Sequence, residues 1–176
     1  MKLNRLFSSR PAVLAGRRLY VAAAAQARQP AFYAQMGAPD TVEGRFELYT
    51  LHVSLLLRRL KGQGDRAAET AQALFDAYVK SLDDALREMG VGDLSVGKKM
   101  RKLGEAFYGR VRNYDEAMSA LPDQAPLEAV LARTVLMGHA EATGPFAAYA
   151  IGAMAGLEAQ PLEALLEGEV KWSDIP

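Results

Sequence analysis

The chain has 176 residues, half of them hydrophobic, which suits one domain with a substantial core and excludes a chain that is disordered throughout. It has no cysteine, which excludes disulfide bonds, thiolate nucleophiles and cysteine metal sites. Net charge is zero, but residues 1–39 carry six bases and no acid, whereas residues 115–176 carry ten acids and two bases. The basic start therefore suits either anionic lipid or RNA, or the acidic end of the same fold.

Glycine and proline divide the chain into predicted helices. The first covers about 12–27 and forms most of a basic N-terminal segment, residues 1–29. This segment is similar in composition to a mitochondrial presequence, but we expect it to be retained as a helix that is part of the fold. A short segment follows at 31–36.

Two long helices come next. The first begins after Asp40 or Thr41, either of which is a suitable N-cap, and ends near Lys61. Asp65 is the predicted N-cap of the second, whose apolar side chains recur at three and four residues until Gly90 ends it.

The strongest periodic signal lies in the helix predicted to begin at Ser95 and to end at Pro122. Its apolar side chains recur every three or four residues, at Val96, Met100, Leu103, Phe107, Val111, Tyr114, Met118 and Leu121. Three shorter helices are predicted at 127–139, 145–157 and 161–168. Because no stretch shows two-residue alternation, we predict an all-α fold, a single compact helical bundle of about six to seven helices. The longest uncharged run, Ala142–Leu157, is shorter than the ~20 residues that cross a bilayer.

Residues 92–99 match most of a phosphate-binding P-loop, but two features argue against a nucleotide site. Lys99 stands where the magnesium-binding Ser or Thr is required, and a predicted helix precedes the segment in place of a strand. We interpret it as a turn that presents a basic helix start. Lys98, Lys99, Arg101 and Lys102 oppose the helix dipole there, which suggests an anionic partner; a merely solvated basic face is the alternative.

No residue pattern indicates catalysis. His52 and His139 are not part of a Glu-x-x-His pair, so we expect both to be structural. No serine lies in a nucleophile elbow. We therefore predict no catalytic residue, no metal, no cofactor and no enzymatic activity.

Four segments resemble the ubiquinol–cytochrome c chaperone family, the cytochrome b assembly chaperones: Ala27–Tyr33, Pro39–Tyr49, Leu86–Lys98 and Phe107–Arg110. The strings Gly-Arg-Phe-Glu-Leu-Tyr and Arg-Glu-Met-Gly-Val-Gly-Asp are long and unusual. The resemblance implies a helical chaperone domain at 30–157, followed by an acidic C-terminal helix and tail at 158–176. Because the domain begins soon after the first residue, we expect a bacterial-type member.

The resemblance implies a non-enzymatic assembly factor that binds newly made cytochrome b, or a related membrane subunit, during assembly of the ubiquinol–cytochrome c reductase complex. It also implies contact with the ribosome or an anionic membrane surface, and a small partner protein or self-association. We expect a cytoplasmic protein, peripheral at the inner membrane, or a matrix protein if the source is eukaryotic. The alternative is a peripheral module that binds anionic lipid or RNA.

The working segment is predicted to lie between Asp40 and Arg110, reaching back to Ala27. A hydrophobic client needs an apolar groove, and a ribosome or membrane needs positive charge. The predicted groove residues are Phe46, Tyr49, Met89, Phe107 and Tyr108. The predicted cations are Arg45, Arg58, Arg59, Lys98, Lys99 and Lys102, and Arg87, Asp93 and Arg110 complete the set.

Overall fold

The computed structural model describes residues 10–139 and 143–176, and every regular element within them is an α-helix. These residues form eight helices: α1 (Arg10–Ala27), α2 (Pro30–Ala34), α3 (Val42–Leu60), α4 (Asp65–Glu88), α5 (Asp93–Ser119), α6 (Ala125–Arg133), α7 (Thr143–Ala159) and α8 (Leu162–Leu166). The predicted all-α fold is confirmed. The count exceeds six to seven because the short segment predicted at 31–36 contains a helix too, α2.

Helix α3 is the centre of the bundle. It packs against α1, α4, α5 and α7, and Leu48, Leu51 and Leu56 are fully buried, because a helix with neighbours on several sides is apolar on several sides. Helix α1 lies along α4. A Cβ on Gly16 would come within 2.6 Å of Ala73, so only glycine allows this approach.

The helix starts agree with the sequence at α3 and differ at α4 and α5. Thr41 caps α3, since its Oγ1 accepts a hydrogen bond from the Gly44 amide at 3.0 Å. Asp65 is the first residue of α4, not its cap. Helix α5 begins at Asp93, two residues before Ser95. Gly92 is its N-cap, so an acid occupies the first helical position, where the helix dipole stabilises negative charge.

The C-terminal ends of α5 and α6 also differ from the prediction. Helix α5 stops at Ser119, and α6 stops at Arg133 although helix is predicted to residue 139. Turns follow α6, with left-handed backbone at Met137 (φ 49°) and Gly138 (φ 96°), a conformation that no helix continues.

The basic α1 contacts the acidic end of the chain at one place. Arg18 donates from Nη1 to the carbonyl of Glu167 at 3.2 Å. Within the described residues no arginine of α1 forms an ion pair with an acid. Internal docking therefore accounts for only one of these charges.

His52 lies at the centre of a buried polar network. Its Nδ1 donates to the Leu48 carbonyl at 2.8 Å, so its Nε2 accepts from the Tyr149 hydroxyl at 2.8 Å. The rings of Phe32 and Trp172 pack edge-on against the imidazole, with ring centroids 5.4 and 5.0 Å from its own. Burial lowers the pKa of His52 to about 4, so the ring is neutral in the folded protein.

Because the unfolded chain protonates this histidine below about pH 6.5, the folded state should lose stability as pH falls from 6.5 to 4. The shift corresponds to about 3 kcal/mol. His52→Gln removes the titrating group. Between pH 6.5 and 4 the free energy of unfolding should therefore fall less in this variant than in the wild type, whatever the variant's stability at pH 7. Urea unfolding of both proteins at several pH values measures the difference. Equal losses in the two proteins would contradict the assignment.

Candidate functional site

An apolar groove lies between the C-terminal half of α3 and the second half of α5, with a volume of about 430 Å³. We call it the α3–α5 groove. The side chains that form it are mainly apolar or aromatic: Ser54, Leu55, Leu57, Tyr108, Val111, Tyr114 and Met118. Tyr108 is 62% exposed and forms the outer wall. The groove is suited to burying an apolar side chain of another molecule.

Aromatic residues of α4 and α5 hold Tyr108 in place. Its ring centroid lies 5.6 Å from that of Phe75 and 5.9 Å from that of Phe107. The ring centroid of Phe107 lies 4.7 Å from that of Tyr78, and Phe107 is only 2% exposed. Because consecutive helical side chains point about 100° apart, Phe107 points into the core and Tyr108 lies on the surface. Phe107 therefore does not line the groove, which corrects its predicted position.

Charged side chains surround one end of the groove. Asp115 pairs with Arg58 and accepts from Lys61 Nζ at 2.7 Å. The hydrogen bonds from Lys61 and Arg58 hold the pKa of Asp115 below its ordinary value. Arg112 is 75% exposed, and its nearest acid, Glu116, lies 3.8 Å away. The groove lining thus includes three cations and one acid.

Two of the predicted partner-binding arginines make internal contacts. Arg59 donates to the carbonyls of Leu157 and Gln160, at 2.9 and 3.2 Å, where α7 ends. Arg110 pairs with Glu47 through Nη2 to Oε1 at 2.8 Å and Nε to Oε2 at 3.0 Å. The Glu47 side chain is 10% exposed, and its carboxylate raises the pKa of Arg110. These contacts position α3 against α7 and α5.

Arg45, Phe46 and Tyr49 lie in the N-terminal half of α3, apart from the groove. Arg45 Nε donates to Asp40 at 2.7 Å on the surface. Tyr49 is half-buried, its ring lies 5.5 Å from the Arg28 guanidinium, and burial raises its pKa. Phe46 is half-buried against the core. The structure does not bring these three residues together with Tyr108, and their contact with a partner stays a prediction.

Residues 89–94, which are the turn between α4 and α5 and the first two residues of α5, expose apolar side chains; we call them the α4–α5 tip. Met89 is 54% exposed and Leu94 is 101% exposed. Met89 therefore lies here and not in the groove. Arg87 fixes the turn, since its Nε donates to Asp83 at 2.6 Å and its Nη1 donates to Asp93 at 2.5 Å.

Four bases follow the tip on α5: Lys98, Lys99, Arg101 and Lys102. All four are exposed, and none forms an ion pair with an acid in the part of the chain that the structure describes. Because α5 begins at Asp93, they lie beyond its first turn, where the helix dipole has little effect. The predicted dipole penalty is therefore wrong, and the case for a partner rests on their unpaired charge.

Residues 92–99 follow helix α4 after three intervening residues and open α5, so the P-loop-like string lacks the preceding strand that a nucleotide site requires. In the described residues no group of three or more His, Cys, Asp or Glu side chains is arranged to bind a metal ion.

Leu57, Arg112 and Leu94 are not among the residues predicted from the sequence, and Val111 is predicted only as part of the apolar stripe of α5. Residues at the edge of a helical stripe are the sequence signal for a groove wall, and Tyr108 and Val111 both have that position. Leu94 has a different sequence signal for exposure. It is an isolated leucine outside the apolar stripe, and it lies beside a glycine turn and a run of bases.

Residues 34–172 match the family described as ubiquinol–cytochrome C chaperone. The chain belongs to this family. The matched residues contain both the α3–α5 groove and the α4–α5 tip, and the match confirms the resemblance seen in the sequence. The family is one of chaperones and not of enzymes, in agreement with the prediction of a non-enzymatic protein.

Relatives of this family member include a solved structure and animal proteins. The crystal structure of the Cbp3 homolog from Brucella abortus is 37% identical and covers 92% of this chain and 90% of its own, with a TM-score of 0.83. The ubiquinol–cytochrome c reductase complex assembly factors 1 of Mus musculus and Xenopus laevis are 27% and 25% identical, over 92% and 70% of this chain. The chain spans 56% and 60% of the length of these two relatives.

None of the helices in the described residues of this chaperone-family member has the length and apolarity needed to cross a membrane.

Proposed function

We propose that this protein is a non-enzymatic assembly factor that binds newly made cytochrome b during assembly of the ubiquinol–cytochrome c reductase complex. The observation that carries the proposal is the family match over residues 34–172. The animal relatives are named as assembly factors of that complex, and the Brucella abortus protein has the same fold over 92% of this chain. Cytochrome b is the client that the family resemblance implies.

The α3–α5 groove is the surface best suited to such a client. An apolar helix of a membrane protein that has not yet reached its partners needs its side chains shielded from water. Tyr108 and Val111 supply an apolar wall, and Arg58, Lys61 and Arg112 give the rim a positive charge that suits acidic residues next to a client helix. The groove is open, so a client can leave it when assembly proceeds.

A crosslinking experiment tests the proposal. The tagged protein is crosslinked in native membranes during active synthesis of the reductase complex and then purified under denaturing conditions. Cytochrome b should be recovered with it, and recovery should decline when translation is blocked, because the client is newly made. Failure to recover cytochrome b above the level of an unrelated tagged helical protein would overturn the proposal.

The basic cluster after the tip is the proposed recruitment surface. Changing Lys98, Lys99 and Lys102 to glutamate should abolish recruitment to the site of synthesis, because each lysine near an anionic surface contributes about 1 kcal/mol, or roughly a hundredfold for three. The helical circular dichroism should not change, since all three side chains are exposed. Recovery of crosslinked cytochrome b measures the effect.

A variant with the same change in net charge is the control. Arg66, Arg133 and Lys171 are exposed bases elsewhere on the chain, and their reversal to glutamate should leave recovery intact. Undiminished cytochrome b binding by the Lys98–Lys99–Lys102 variant would count against the recruitment surface.

The exposed cluster also supports a second candidate, a peripheral module that binds anionic lipid or RNA without a client. Such a module would bind anionic vesicles or RNA with steep salt dependence and would yield no crosslinked cytochrome b.

A further inference from the structure

We propose that the α4–α5 tip docks on an anionic lipid bilayer, with Leu94 and Met89 inserted into the membrane interface and the bases of α5 bound to lipid phosphates. This inference rests on the proposed function in one respect, since it identifies the anionic partner of the recruitment surface as a membrane.

The apolar part of the tip is exposed to an unusual degree. A single exposed apolar side chain is ordinary on a protein surface. Leu94, however, is 101% exposed and Met89 is 54% exposed, and only four residues separate them in the chain. Leu94 gains nothing from packing within the chain and Met89 is covered only in part, so both gain free energy when something apolar covers them. An apolar apex beside basic residues is the composition that binds membrane interfaces.

Two of the four bases share the outward face of α5 with Leu94. At about 100° per residue, Leu94, Lys98 and Arg101 fall on one face, opposite the side chains of Val96 and Phe107, which are 3% and 2% exposed. Residues 94–104 contain four bases and no acid.

The nearest unpaired acids are few. Glu88 and Glu105 border the patch at its two ends, so four unpaired bases meet two acids and the patch is positive overall. Asp93 lies within the tip and shares Arg87 with Asp83, so these three side chains add one negative charge, and the patch still has a net positive charge. The apex is therefore apolar, and the surface behind it is complementary to negatively charged headgroups.

The tip holds this arrangement without a partner. Arg87 joins the end of α4 to the start of α5 through Asp93, and Asp83 on α4 also holds its guanidinium. Beneath the turn, the Val91 amide donates to the Leu86 carbonyl at 3.0 Å, and Leu86 is 7% exposed. A preformed turn loses little conformational entropy on binding, which favours insertion of the two side chains.

A bilayer explains the whole patch, whereas RNA explains only its bases. Nucleic-acid phosphates attract Lys98 and Lys102, but they gain nothing from a fully exposed leucine. The polar headgroups and acyl chains of a membrane satisfy both parts at once. Leu14 and Val21 on α1 are also exposed, at 52% and 63%, so they form the matched comparison surface.

A fluorescent probe tests insertion directly. Because the chain has no cysteine, Leu94→Cys carries a single environment-sensitive dye on the full-length protein. Its emission should shift to the blue with phosphatidylcholine vesicles that contain phosphatidylglycerol, and the shift should decline with added salt. Pure phosphatidylcholine should give little shift. No shift with anionic vesicles, or a shift of the same dye at Val21→Cys in place of Leu94→Cys, would overturn the proposal.

Paired variants separate this inference from the proposed function. Met89→Ser with Leu94→Ser should weaken binding to the anionic vesicles about tenfold or more, whereas Leu14→Ser with Val21→Ser should not. The tip variant should still capture cytochrome b in detergent, where no membrane is needed. If the tip variant binds anionic vesicles as tightly as the wild type does, the bilayer is rejected as the partner. The same conclusion follows if the protein binds RNA through these bases, without lipid, as tightly as it binds vesicles. Loss of cytochrome b capture in detergent with normal vesicle binding would instead count against the groove.

Discussion

Replacing Tyr108 by alanine should reduce capture of newly made cytochrome b about thirtyfold, because buried aromatic residues at the wall of a binding groove commonly contribute 2 kcal/mol or more. The ring is 62% exposed in the free protein, so the bundle should stay folded without it. Cytochrome b made by cell-free translation in detergent, captured at increasing concentrations of the tagged protein, measures the half-maximal concentration for each variant.

Two controls separate the ring from other effects. Tyr108→Phe keeps the apolar wall and should bind as well as the wild type. Leu14→Ala removes a similarly exposed apolar side chain from α1 and should have no effect. Equal capture by Tyr108→Ala and the wild type would show that the α3–α5 groove does not hold the client, and weak capture by Tyr108→Phe would show that the hydroxyl is required.

The periodic stripes of the sequence predict the long helices because the core needs apolar side chains at three- and four-residue spacing. The helix starts are less predictable, since more than one nearby residue suits an N-cap. Ser95 has the right side chain, but Gly92 occupies the cap position, because the turn that follows Gly90 sets where helical geometry can begin. A turn of this kind depends on how two packed helices meet, and no local residue preference determines that.

The candidate site is predictable only where it depends on local spacing. Lys98, Lys99 and Lys102 lie within five residues of sequence, and all three are exposed on the surface. Arg110 and Glu47 lie 63 residues apart, and only the packing of α5 on α3 shows that they pair. The sequence equally cannot show whether Phe107 or Tyr108 faces solvent, because both are large, aromatic and adjacent.

The groove and the tip lie on the same long helix, and this spacing has a functional consequence. Tyr108 follows Leu94 by fourteen residues, or about 20 Å along α5 at 1.5 Å per residue. A tip inserted in a bilayer would therefore hold the groove about 20 Å along the helix from the membrane surface. A client helix emerging near the membrane could be received there before it inserts.

Replacing Arg110 by methionine should destabilise the fold by about 2–3 kcal/mol, because it leaves the carboxylate of Glu47 buried without its partner. Glu47 is 10% exposed and accepts both hydrogen bonds of the paired guanidinium. Urea unfolding measures the loss. Arg112→Met, two residues along the same helix, is the control and should change the free energy of unfolding by no more than about 0.5 kcal/mol, because its side chain is 75% exposed.

A double variant distinguishes a role in folding from a role in binding. Glu47→Leu combined with Arg110→Met removes both charges, so it should be more stable than Arg110→Met alone. If Arg110 serves only the fold, the double variant should also recover cytochrome b capture. Capture that stays lost in a stable double variant would show that Arg110 contacts the client, as its place in a family-like string predicts. Equal stabilities of Arg110→Met and Arg112→Met would instead contradict the importance of the ion pair, and the packing of α3 on α5 would then depend on its apolar contacts alone.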